Sequence, residues 1–131
     1  MSEIITDKLT GKTTAKTVTV TAGATATMSL EQGLAKGWCS FDGTAATLSF
    51  YDSFNGSSLT DGGTGDHTMN LSNAMSDVYF PASFAVNARN QTGTPTGSHP
   101  STSGCQIRVT NISDANNDNS FVQITFHGDL A

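Results

Sequence analysis

Apolar side chains along this chain recur at every second position, the period of a strand with one buried face. Val78, Phe80, Ala82, Phe84 and Val86 alternate with Tyr79, Ser83 and Asn87 on the other face, and Val122, Ile124 and Phe126 alternate with Gln123, Thr125 and His127. Leu48 and Phe50 point the same way within Thr47–Tyr51, ahead of a wide Gly-rich turn at Asp61–Asp66 and a further strand at Thr68–Leu71. A first strand starts at Trp38 and turns at Asp42-Gly43. Pro81 lacks the N–H a central ladder needs, so its strand is expected at a sheet edge or with a bulge. Ile107 and Val109, followed by an Asn/Asp-rich turn over Asn111–Asn119 and then Val122–Phe126, predict a closing antiparallel hairpin. Residues 90–104 hold two prolines and almost no apolar side chains, which predicts a long exposed loop of the kind that touches partners.

The first 26 residues differ. Their large apolar side chains are few, chiefly Ile4, Ile5, Leu9, Val18 and Val20, so the segment cannot build a core alone. Within it Thr17–Thr21 alternates strictly, giving a strand whose apolar face must lie on the domain or on a neighbouring chain. Ser29 and Gln32 stand at capping-box spacing and predict a short helical turn between Met28 and Leu34, read as a linker. The expected architecture is all-β: an extended N-terminal arm over residues 1–31, then an antiparallel β-sandwich or jelly-roll-like domain over residues 32–131. The expected core is Trp38, Leu48, Phe50, Val78, Phe80, Phe84, Ile107, Val109, Val122, Ile124 and Phe126. Ile4, Ile5, Leu9, Val18 and Val20 are the expected partner-binding residues of the arm.

Composition narrows the function classes. The 131 residues include 20 Thr, 15 Ser, 13 Gly and 9 Asn, a mixture suited to short strands and tight turns rather than to charged-substrate chemistry. A single domain of this size buries roughly two-thirds of its unfolded surface, so no metal or disulfide staple is needed. The net charge of −5, with no cluster of Lys or Arg, argues against a nucleic-acid partner. Lys8, Lys12 and Lys16 recur every fourth residue, but the Thr-rich stretch between them is a poor helix and reads as a solvated arm. No apolar run approaches the roughly 20 residues that span a bilayer, and the N-terminus lacks the apolar core of a signal peptide. The expectation is a protein made in a cytosol, without a membrane partner, whose Cys39 and Cys105 are free, mostly buried thiols.

Candidate chemistry is sparse. Asp114-Ala-Asn116-Asn-Asp118 opens like a calcium loop, but Asn119 and Thr125 stand where that loop needs Gly and Glu, so a turn is favoured. His67, His99 and His127 are far apart and have no ligand at short spacing, which favours exposed or hydrogen-bonded histidines. No Gly-x-Ser-x-Gly elbow is present, and Asp42, Asp52, Asp61 and Asp66 each sit where a turn would place them. Asp61-Gly-Gly-Thr-Gly65 is Gly-rich but lacks the Lys and helix of a phosphate loop. The expectation is therefore no catalytic residue, no metal and no cofactor.

A series of short motifs carries a family likeness. Gly33-Leu-Ala-Lys-Gly-Trp38, Phe41-Asp-Gly-Thr44, Asp52-Ser-Phe-Asn55, Ser57-Ser-Leu-Thr-Asp61, Gly63-Thr-Gly-Asp66 and Met69-Asn-Leu71 to Ala74-Met75 follow in an order that resembles a segment of structural proteins of tailed bacteriophages, particularly marine and cyanobacterial ones. The opening Glu3–Thr14 also resembles their N-terminal arms. The likeness covers roughly residues 1 to 80; it departs from the usual pattern at Cys39-Ser40, and residues 88 to 131 carry none. It implies a non-enzymatic virion component, assembled in the host cytoplasm, of head-decoration or tail-fibre type. Absence of a repeated shaft favours a capsid decoration or cement protein that binds the major capsid protein and itself, as a homotrimer. The alternative is a short tail or head fibre whose 90–103 loop binds a host-surface glycan. A third reading, a small glycan hydrolase, would need two carboxylates at a fixed separation.

Overall fold

A computed structural model describes residues 18–22, 25–87, 91–95 and 101–131. Ile4, Ile5 and Leu9 of the expected arm, and His99, lie outside the described residues. The chain divides into two compact units, Met1–Leu34 and Ala35–Ala131.

In the first unit, β1 (Thr19–Ala22) and β2 (Ala26–Ser29) form an antiparallel pair with Val20 opposite Met28. The strand expected at Thr17–Thr21 is found over Thr19–Ala22 among the described residues. A single helical turn, α1 (Leu30–Gly33), follows, and its N-cap Ser29 accepts the Gln32 N–H at 3.5 Å, the spacing that predicted it.

The second unit holds two four-stranded antiparallel sheets. The first contains, in order, β4 (Phe50–Phe54), β3 (Gly37–Phe41), β10 (Val122–Phe126) and β7 (Ala82–Val86). The second contains β5 (Gly56–Gly63), β6 (Asp66–Leu71), β9 (Gly104–Asn111) and β8 (Gln91–Pro95). Alternate residues of both sheets meet in one core: Cys39, Phe41, Ile124 and Phe126 from the first, Met69, Cys105, Ile107 and Val109 from the second. This is a β-sandwich, as expected. Its strand order is its own, since β3–β4, β5–β6 and β8–β9 are each neighbours within one sheet, whereas a jelly roll mostly crosses between sheets at successive strands.

The chain passes from the first sheet to the second at a tight corner after β4. Between β4 and β5 the single residue Asn55 takes a left-handed conformation, φ 61°, which Asn tolerates better than most residues. Its side-chain amide donates to the carbonyls of Lys36 and Asn73 at 3.0 and 3.1 Å and accepts the Asn73 N–H at 2.7 Å. At the β5–β6 tip, Gly65 (φ 68°) lies so close to β9 that a Cβ would come 2.4 Å from the Val109 carbonyl oxygen.

Three expectations need correction. Ile107–Val109 and Val122–Phe126 do not pair: β9 lies in the second sheet and β10 in the first, so both bury apolar faces against opposite layers. Residues 90–104 are not one loop, because Gln91–Pro95 forms edge strand β8 against β9. A ladder needs main-chain groups rather than apolar side chains, so the polar sequence concealed it. Trp38 is not core: it is 37% exposed, because Gly37, Cys39 and Phe41 take the inward positions of β3. Pro81, by contrast, precedes β7, which is an edge strand as expected. Phe80 is buried, and Leu48, Phe50 and Phe84 pack partly buried on the core; Val78 is half-buried.

Candidate functional site

The register of the first sheet determines what its outer face displays. Residues paired across antiparallel strands share a face. Trp38 pairs with Phe54 on one side and Thr125 on the other, and Thr125 pairs in turn with Ser83. The next outward row is Asp52, Ser40, Gln123 and Ala85. Between Ser40 and Phe41 the β3–β4 register shifts, leaving Tyr51 as the extra residue of a bulge. Tyr51 stacks on Phe121, two residues before Gln123 on the same outward parity, with centroids 6.1 Å apart and planes at 25°.

The result is a face with aromatics at both ends and neutral polar groups between. Phe54 and Tyr51 are 53% and 60% exposed. Because Ser40, Ser83 and Ala85 are small, the sheet surface is dented, forming an open hollow of about 290 Å³ with Trp38 as a wall. A second hollow of about 390 Å³, with Phe121 as its wall, adjoins it and shares Ala85 and Gln123. Among the described residues, no hydrogen bond engages the side chains of Ser40, Ser83, Gln123 or Thr125.

The outer face of the second sheet is the opposite case. Asn70 donates to the hydroxyls of Ser58 and Thr60 at 2.9 and 2.8 Å, and Gln106 donates to Asp66 at 2.8 Å. These five described polar side chains satisfy one another.

The other sequence candidates fall elsewhere. Asn111 accepts the N–H groups of Ser113 and Ala115 at 2.9 and 3.1 Å, and Asp118 accepts the Gly65 N–H at 2.6 Å, so the calcium-like stretch is a turn docked on the β5–β6 tip. Asp42 makes its own turn with Thr44, whose hydroxyl and N–H hold the carboxyl below its usual range. His67 reverses its expectation: it is 1% exposed, its ring nitrogens lack hydrogen bonds, and its Nε2 lies 3.7 Å from Asp118 Oδ1. Cys39 and Cys105 are free and buried, as expected, and burial pushes both thiols up to about 12. Among the described residues, no group of three or more His, Cys, Asp or Glu is placed to hold a metal ion, and no helix is long and apolar enough to cross a membrane.

Of the arm residues, Val20 is 40% exposed beside Met28 at 52%, while Val18 accepts the Leu30 N–H through its carbonyl at 2.8 Å. Sequence reasoning missed the outer-face site because it placed Trp38 inside. The signal was present in the alternation of Cys39 and Phe41. No protein-family model, curated protein or solved structure matches the chain.

Proposed function

We propose that the chain is a non-enzymatic structural component of a bacteriophage particle, a capsid decoration protein that binds the major capsid protein through its N-terminal unit. The supporting observation is the division of labour between the two units. Among the described residues, every buried hydrophobic residue falls between Cys39 and Phe126, within the second unit. The first unit instead presents Val20 and Met28 side by side and exposed. An apolar pair on a two-stranded ribbon is poorly stable in water and gains from burial against a partner. The resemblance of residues 1 to 80 to phage structural proteins supports the major capsid protein as that partner. Self-association as a homotrimer adds further weak contacts, which a repeating lattice multiplies.

The test is attachment. The full chain and residues 35–131 are each incubated with particles stripped of the protein and separated by sedimentation. The full chain co-sediments and the fragment, still folded by circular dichroism, stays in solution. Equal attachment of both would overturn the role of the arm.

A further inference from the structure

We infer that the outer face of the first sheet is a binding site for a neutral oligosaccharide, with Trp38 and the Tyr51–Phe121 pair as platforms for two sugar rings. The inference stands on the sandwich alone and does not depend on the proposed place in a virion.

Three features select this ligand. The first is shape: adjoining hollows of about 290 and 390 Å³ lie near the lower end of small-ligand pockets, roughly 300–1,000 Å³. Each is walled by an aromatic ring that can meet the apolar C–H face of a pyranose, an amphipathic surface suited to an amphipathic ligand. The second is hydrogen bonding. Ser40, Ser83, Thr125 and Gln123 offer three hydroxyls and an amide, groups that both donate and accept as sugar hydroxyls do, and none is engaged within the described residues. The third is charge: every described polar side chain lining the first hollow is neutral, and the carboxylate of Asp52 ends the Ser40–Gln123 row on β4. A neutral sugar is complementary to that lining, whereas a sialylated or phosphorylated one would bring an anion toward a carboxylate.

A second copy of the chain fits less well. Protein interfaces place their apolar anchors at the centre and polar residues at the rim. Here the centre of the face is Ser40 and Gln123 and the aromatics lie at its two ends.

Trp38 is the only tryptophan in the chain, so its emission reports on the site directly. The full protein is titrated with maltohexaose, cellohexaose and chitohexaose, with sialyllactose as the anionic comparison. The inference predicts a saturable change in Trp38 emission with at least one neutral hexasaccharide and none with sialyllactose. Gln123→Ala, which keeps the tryptophan, should weaken that binding about tenfold, the loss of one net hydrogen bond. Thr60→Ala on the opposite face should leave it unchanged. No saturable change with any neutral probe overturns the inference, as does binding that Gln123→Ala does not alter. Emission that instead follows protein concentration together with self-association also overturns it, by giving the face to a second copy. Sugar binding by a protein absent from virus particles would retain this site and remove only the proposed function.

Discussion

The ring of Phe126 lies across Gly37, its register partner on β3, so closely that a Cβ at residue 37 would meet Cζ at 2.2 Å. This contact fixes the orientation of the whole strand. With Gly37 under Phe126, Cys39 and Phe41 continue inward and Trp38 must face out. Gly37→Ala forces the ring or the strand to shift, and it should destabilise the protein by about 1–3 kcal/mol. Chemical denaturation monitored by Trp38 emission would check this.

Phe41 and His67 meet edge to face in the same core, with centroids 5.4 Å apart and planes at 82°. The imidazole makes that contact while both of its nitrogens lack hydrogen bonds, an arrangement that forgoes about 1–3 kcal/mol for a buried polar group. His67→Leu removes the polar atoms and keeps most of the volume. It should leave stability unchanged or raise it by about 1 kcal/mol, which thermal unfolding would measure. A loss of several kcal/mol would mean that the 3.7 Å approach of Nε2 to Asp118 acts as a structural ion pair.

Asn55 concentrates the sheet-to-sheet corner in one residue. Asn55→Ala loses its bonds to Lys36 and Asn73 and places alanine at a left-handed φ, so it should cost about 2–4 kcal/mol. Asn55→Gly keeps the backbone freedom and should cost less. The difference between the two, read from denaturation midpoints, separates conformation from hydrogen bonding.

Cys39 and Cys105 face the same core, and their thiols are raised from 9.0 to about 12 by burial, with Cys39 adding an electrostatic share at Cys105. The unfolded chain gives up these protons first as pH rises. Their contribution to stability is therefore full below about pH 9 and declines between 9 and 12. The denaturation midpoint should fall over that interval, and less steeply in the Cys39→Ala, Cys105→Ala double variant. A thiol reagent at neutral pH should react with neither cysteine until the protein unfolds.

Much of the sandwich was legible because its core strands alternate strictly: Val122–Phe126 and Phe80–Val86 carry their buried face in their spelling. Edge strand β8 was not, since Gln91–Pro95 is recognised only through its main-chain partner β9. Nor was the pairing of β9 and β10 with different sheets, which depends on facing layers rather than on sequence order. At the candidate site, Trp38 was misplaced by its size: a large aromatic usually implies a core, and the small, inward Gly37 is what determined otherwise. The bulge that presents Tyr51 leaves no mark in the sequence.

The most direct measurement for the proposed role is the amount of this chain in purified particles of the bacteriophage to which the proposal assigns it, by quantitative mass spectrometry against the major capsid protein. The account predicts an amount comparable with the major capsid protein, as a lattice coat requires. A chain abundant in the infected lysate and missing from the purified particles would contradict it.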